Sequence, residues 1–531
     1  MGASLLTVLV VSILLAALAR RFDVSAPLAL VVAGLAASTI PGLHDVVLDP
    51  EMILYVILPP LLWSAGTESS YFALRKNIRS ISLLAIGLPL ATTFAVGFVA
   101  YKTVPELTVA AALTLGAIVA PPDAVSATAI GRRLGLPRRV MTLLGGESLL
   151  NDATALTAYK VALAAAIGIA ANWGTALGIF ALAAIGGVAV GLAFGAVIAF
   201  IRSRLDDPVM ESAIGLIAPF VIYFVAELMH GSGVIAVVVS ALILGQRSTT
   251  HAGYATRLQD FALWQAIQLI LESFAFLLIG LQLPKVISEL AGIRASVLIT
   301  SSLAVFATVI GVRIVWVYLF AYLPPLLSSR IREREPTPTP AQVFILAWAG
   351  MRGVVSLAAA AAVPLTTLSG DPFPGRPHLV FLTFVAVVGT LLLHGLTLPW
   401  FIKILHVEGD DPQKDQLAEV QAQDRAARAA ADRLDELLAD PEASSDVPER
   451  AAEVLRHWNT RRVNSAWERL GRTEEEIGES PAAAFRRLRL EMLAAERKTF
   501  IDERDAGRIN DEMLRSVLRG LDLEEATLNR K

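Results

Sequence analysis

Apolar residues follow one another in runs of about twenty along the first four-fifths of the chain, with short polar stretches between them. The pattern stops near His406. A helix of about twenty residues crosses the ~30 Å hydrocarbon core of a bilayer. The runs predict about thirteen such spans. They begin near Ser4, Pro27, Met52, Ile81, Leu107, Met141, Thr175, Val209, Val234, Phe261, Ala295, Gln342 and His378. Beyond His406 charged residues dominate. The pattern therefore predicts an all-α polytopic membrane domain over residues 1–406 and a helical tail over residues 407–531. Within the tail, "AEVQAQDRAARAAADRLDELLAD" and the stretch after Pro481 carry the helical signal.

The polar loops give an orientation. With the N-terminus outside, every second loop is cytoplasmic. Those loops hold Arg20 and Arg21; Arg75, Lys76 and Arg79; Arg132, Arg133, Arg138 and Arg139; Arg202 and Arg204; Arg247 and Arg257; and Arg330, Arg332 and Arg334. The alternate loops hold little beyond Lys102, Lys285, Arg294 and Arg376. Positive charge gathers on the cytoplasmic side of membrane proteins, so the alternation supports the span count and makes the tail cytoplasmic. Arg20 and Arg21 follow the first apolar run rather than precede it, which suits a first span and not a cleaved signal peptide.

Composition sharpens the class. Hydrophobic residues are 55% and charged residues 18% of 531, below the roughly one-quarter charged of soluble domains. Mean hydropathy is +0.60. There is no cysteine, which excludes disulfides and thiolate metal sites. The net charge of −3 identifies no partner class, and no nucleotide loop or metal cluster stands in the tail.

Two spans are interrupted. The fifth reads "LTVAAALTLGAIVAPPDAVSATAIGRR", with Pro121 and Pro122 mid-span and Asp123 next. Proline lacks the backbone donor and clashes with the preceding turn, so the helix breaks there. Unclaimed backbone groups at that depth are tolerated only against protein or a wet cavity. Asp123 then falls at the positive end of the second half-helix. The twelfth span, "AQVFILAWAGMRGVVSLAAAAAVP", is interrupted by Gly350, Arg352 and Gly353. Spans seven apart cross in opposite directions. Interrupted helices at matching places in two oppositely oriented halves are the pattern of an inverted-repeat transporter.

The sixth span carries "GGESLLNDATALTAYK". At about 100° per residue, Glu147, Ser148, Asn151 and Asp152 share an arc of about 140°, joined by Thr154. Their oxygens suit a hard cation or a proton. A packing stripe needs only Ser, Thr or Asn, so two acids point beyond packing. Arg313 in the eleventh span needs an acid, which Glu147 or Asp152 could supply. Lys160, Glu227 and Glu272 read as structural charges.

In chain order, "LPPLLWSAG", "APPDAVSATAI", "GGESLLNDATAL", "VRIVWV" and "WAGMRGVVSLA" resemble the monovalent cation:proton antiporters. The branch is the one shared by animal sodium/proton exchangers and bacterial NhaP-type proteins. The likeness covers nearly the whole membrane domain, and the tail end "ERDAGRINDEMLRSVLRGLDLEEATL" resembles bacterial members. It implies thirteen helices in a dimerisation and a core subdomain, with the broken fifth and twelfth helices crossed, and a homodimer in the cell membrane. It further implies that Asp152 binds sodium and a proton in turn, with Asn151 as its neutral neighbour and Ser148 assisting coordination. Asp123 would sit at the crossing, Glu147 would pair with Arg313, and Arg352 would lie at the second break. No cofactor is implied. The substrates would be sodium, with lithium and potassium as alternatives, and the proton, in a role in pH homeostasis.

Two positions depart from the family pattern. Many relatives have Thr where this chain has Pro122, which leaves only a main-chain carbonyl, and several archaeal relatives have an acid where this chain has Ser64. A cation and a proton competing for Asp152 would give electroneutral one-for-one exchange by alternating access. Of the rival classes, an intramembrane aspartyl protease wants a Gly-Asp motif, which neither Asp123 nor Asp152 has. An organic-anion transporter wants basic groups at both breaks, and the fifth span has Asp123. A channel on a related fold is the remaining rival. None of the readings assigns a catalytic residue.

Overall fold

In the computed structural model the described residues are 2–529, apart from 23, 41–49, 170–172, 206, 252, 291, 328–337, 408, 440–448, 471–480, 507 and 510. The chain divides into two compact units, Met1–Gly409 and Asp410–Lys531. Among the described residues there is no β-strand, only an isolated bridge between Thr366 and Pro372.

The described elements of the first unit are helices apart from that bridge. Its elements are α1 Gly2–Arg21, α2 Ala26–Ala37, α3 (50–68), α4 Tyr71–Lys76, α5 Ile78–Thr103, α6 Val109–Val119, α7 Ala124–Arg133 and α8 Arg138–Ala166. They continue as α9 Trp173–Arg202, α10 Pro208–Leu228, α11 Gly233–His251, α12 Tyr254–Leu281, α13 Leu283–Ser288, α14 Ala295–Leu327, α15 Pro340–Trp348, α16 Val354–Ala361 and α17 Arg376–Ile404. Six of the described helices are long and apolar enough to cross a membrane, and α2, α6 and the apolar part of α11 are shorter apolar helices. Each of the predicted spans begins close to a helix start. The largest difference is α12, which starts at Tyr254 rather than Phe261. Its first turns carry Arg257, Gln259 and Asp260, which an apolar run cannot reveal. Asp260 is held there by Arg202, 2.7 Å away, and by the Ser212 hydroxyl at 2.6 Å. The loop arginines Arg330, Arg332 and Arg334 lie outside the described residues.

In α3 and α5 the helix is bridged at its prolines rather than broken. A wide π-helical turn, Ile53–Ile57, precedes Pro59 and Pro60 in α3, and another, Leu83–Gly87, precedes Pro89 in α5. Each proline leaves a carbonyl four residues back without its donor, and the wider turn accommodates the loss. In α5 the Leu83 carbonyl also accepts from Trp316 Nε1 of α14 at 2.9 Å. Large apolar side chains such as Leu177, Ile185 and Leu192 on α9, and Leu303 and Val315 on α14, are exposed. A soluble protein would bury such stripes, whereas a bilayer covers them. Inside, α2 and α12 meet at Gly34 and Gly280, where a Cβ on either would run into the other backbone. Small residues are what allow helices to approach this closely.

The second unit is two helical hairpins. In the first, α18 Pro412–Ala439 pairs with α19 Glu449–Leu470, joined by Arg456 to Asp435 at 2.6 Å and by Asn459 Nδ2 to the Ala427 carbonyl at 2.8 Å. The amino-acid pattern did not single out α19. In the second, α20 Pro481–Asp505 pairs with α21 Asp511–Leu528. There Arg489 grips Glu524 at 2.6 and 2.8 Å, and Arg497 reaches Asp522 and Glu525 at 2.7 Å. The Arg489 guanidinium holds the Glu524 carboxyl below its ordinary value of 4.5. A depressed carboxyl adds stability that is present above the ordinary value and lost as pH falls through the lower one. Amide hydrogen exchange in α20 and α21 of the full protein, corrected for intrinsic rates, should therefore quicken below about pH 4.5. Arg489→Met should remove the part of that dependence due to Glu524.

Candidate ion-binding site

The site is built where the two broken helices meet. α6 ends at Val119, and α7 begins after Asp123, whose Oδ1 caps it by accepting from the Val125 amide at 2.9 Å. α15 ends at Trp348, and α16 begins after Gly353. The two breaks are joined by backbone, with the Asp123 amide donating to the Met351 carbonyl at 2.7 Å. Gly353 has no side chain for a reason of space. A Cβ there would sit 2.5 Å from Asp123 Oδ2 and 2.7 Å from Asp123 Cβ. Asp123 therefore lies between the N-terminal ends of both α7 and α16, where backbone N–H groups and helix dipoles favour a negative charge.

The C-terminal ends receive positive charge. Arg352, 1% exposed, donates from Nε to the Val119 carbonyl at 2.9 Å and from Nη1 to the Gly350 carbonyl at 2.6 Å. Its own amide donates to Thr390 Oγ1 of α17 at 3.0 Å. Arg313 of α14, equally buried, donates from Nε to the Ala347 carbonyl at 3.0 Å and from Nη2 to the Leu346 carbonyl at 3.1 Å. So each carbonyl end left open by a break is met by a guanidinium, one supplied by the opposite break and one by a third helix.

α8 lies against this crossing and presents the polar stripe. Glu147 is 1% exposed and bonded to Arg313 by both oxygens, Nη1 to Oε1 and Nη2 to Oε2, the latter at 2.9 Å. Asn151 is fully buried and donates from Nδ2 to the Pro122 carbonyl at 2.7 Å, while its Oδ1 has no hydrogen-bond partner among the described residues. Ser148 and Asp152 are half-buried, four residues apart, and hence on one helix face. Asp152 makes no ion pair or hydrogen bond among the described residues. Pro121 and Pro122 are buried at the break. The structure thus brings Pro122, Asp123, Glu147, Asn151, Arg313, Gly350, Arg352 and Gly353 into one bonded cluster. Asp152 and Ser148 flank it on the stripe.

Three partnerships go unassigned in the amino-acid pattern, although it expects Lys160, Glu227 and Glu272 to be structural charges. Thr390 holds the Arg352 backbone. Lys160 pairs with Glu227 at 2.6 Å. Ser64 is engaged with Gln268 at 3.3 Å and Glu68 at 3.5 Å, and Gln268 donates to Glu272 at 2.6 Å. The last chain had a signal, since Gln268 and Glu272 are four apart on one face of an otherwise apolar stretch.

A family model described as "Sodium/hydrogen exchanger, transmembrane" matches residues 5–404. The chain belongs to this family. Among relatives of this sodium/hydrogen exchanger is a Mycobacterium tuberculosis protein bearing the name uncharacterized Na(+)/H(+) exchanger. It is 34% identical over 525 residues, covering 96% of this chain and 93% of the relative. A Bacillus pumilus protein named as a sodium, potassium, lithium and rubidium/H(+) antiporter is 32% identical over 409 residues, covering 74% of this chain and 60% of the relative. The fold is that of a solved structure, the sodium proton antiporter MjNhaP1 from Methanocaldococcus jannaschii at pH 8. It matches with a TM-score of 0.60 and 19% identity over 75% of this chain and 96% of that one.

Two outcomes test the geometry. Removing one partner of a buried ion pair strands the other charge at a cost of about 3–5 kcal/mol. Glu147→Gln and Arg313→Met should each lower the melting temperature of the purified exchanger, and the double variant should recover part of the loss. Gly353→Ala should displace Asp123 and remove most of the exchange activity while the protein still folds, as read by size-exclusion profile and transport in the same preparation.

Proposed function

We propose that this protein exchanges sodium for protons across the cell membrane, one for one, by alternating access around Asp152. One observation carries the reading. The cluster together with the flanking Asp152 holds three carboxylates, Asp123, Glu147 and Asp152, and two guanidiniums, Arg313 and Arg352, so the fixed charge is 2 − 3 = −1. Glu147 is matched by Arg313 and Asp123 by two helix N-termini, while Asp152 has no partner among the described residues. A charge in that place is costly unless something mobile neutralises it. A monovalent cation or a proton does so, and the two compete for the same oxygens.

Ser148 Oγ, Asn151 Oδ1 and the second lone pair of the Pro122 carbonyl are the oxygens that would complete a sodium shell around Asp152. The relative named for sodium, potassium, lithium and rubidium supports lithium and potassium as further substrates of such an oxygen-rich site. The neutralised site crosses as part of a rigid body that rocks against the rest of the membrane unit. The orientation follows the loop arginines, with the N-terminus outside and the tail in the cytoplasm, and the working form is a homodimer. An organic-anion carrier fits less well, because both buried guanidiniums are already turned to carbonyls or to Glu147.

The test is a proteoliposome assay with an imposed sodium gradient, then a potassium gradient, while internal pH is followed. Wild type should acidify or alkalinise the lumen according to the cation gradient, and Asp152→Asn should abolish the response. A cation-driven pH change that survives in Asp152→Asn would sink the single-carboxylate mechanism. The rate should also ignore an imposed diffusion potential, because each half-cycle carries the same net charge. A several-fold dependence on its sign would rule out one-for-one exchange.

A further inference from the structure

Lys160 and Glu227 stand outside the site and yet join its helix to another wall of the membrane unit. Lys160 Nζ lies 2.6 Å from both carboxylate oxygens of Glu227, next to the last residue of α10. Glu227 is fixed from its own side. Its Oε1 accepts from the Gly233 amide at the start of α11, 3.0 Å away. One turn earlier on α10, Tyr223 meets Tyr55 of α3 edge-on, with ring centroids 5.4 Å apart. Lys160, by contrast, belongs to α8, the helix that carries Asp152. At helical geometry it lies about 12 Å further along than Asp152 and about 80° around, with Leu156 between them on the same face.

We infer that Lys160 and Glu227 form the gate of the transport path on the side where α8 ends, which is the outer side in the orientation proposed above. The inference rests on the alternating-access reading. The two ion pairs of α8 differ in the property that matters for this role. Glu147 and Arg313 are 1% and 2% exposed at their side chains, so parting them would strand buried charge. Lys160 and Glu227 are 39% and 20% exposed, so parting them strands far less buried charge. The first pair keeps α8 with the crossing, and the second is built to be made and broken as α8 moves against α10.

The absence of cysteine makes access measurable in the full protein. Leu156→Cys is introduced as a reporter, the protein is reconstituted in oriented vesicles, and a membrane-impermeant maleimide is added to the side where α8 ends. With the native pair, labelling should be slow. Lys160→Met or Glu227→Gln should quicken it several-fold. The exchanged pair, Lys160→Glu with Glu227→Lys, should return it toward the native rate. Unchanged labelling in the single variants overturns the gate. So does a quickening that the exchanged pair fails to reverse, because that marks general loosening of the fold. The label reads access rather than ion flux, so it can be repeated with Asp152→Asn. A gate that responds in a protein that moves no ions separates the two readings.

Discussion

A helix broken inside a bilayer leaves amides and carbonyls without partners and without water to replace them, and the crossing of the two breaks answers that constraint. The carbonyl end of α6 is taken by Arg352 from the other break, and the carbonyl end of α15 by Arg313. The amide ends of α7 and α16 converge on Asp123. The rest follows from this reciprocity. Gly353 must be glycine because Asp123 occupies the space of its side chain, and Thr390 is called on because the amide of Arg352 has left helical geometry.

The same arrangement sorts the charges. Each of Glu147, Asp123, Arg313 and Arg352 is bonded to a group that belongs to the frame, so none is free to follow an ion. Asp152 is the exception, and its neighbour Asn151 contributes an oxygen without a second charge. On the proposed reading, the missing positive charge is what a small cation supplies. In this family, protons and sodium are the contestants.

Much of this was legible in the amino-acid pattern. The spans, the two interruptions and the polar stripe are one-dimensional features, set by run length, by Pro121–Pro122 and Gly350–Gly353, and by the spacing of Glu147, Asn151 and Asp152. What one dimension could not supply was partnership. Arg313 could have met Glu147 or Asp152, since both lie on the stripe, and only the position of α14 decides. The bond from Asn151 to the Pro122 carbonyl depends on how deeply α8 leans on the break. Lys160 and Glu227, like Ser64 and Gln268, are far apart in the chain, so nothing in its spacing pairs them. The start of α12 was misplaced because its first turns extend past the apolar run into polar surroundings.

Arg313 is also a mechanical joint. Its guanidinium grips Glu147 on α8 and two carbonyls on α15, so three helices are fastened at one point. Asn151 fastens α8 to the other break. Glu147 and Asn151 are thereby held on α8 at fixed spacing from both breaks, much as a tool keeps its shape while the arm swings. A substitution at Arg313 then disturbs three helices at once, whereas one at Gly34 or Gly280 disturbs only the packing of α2 against α12.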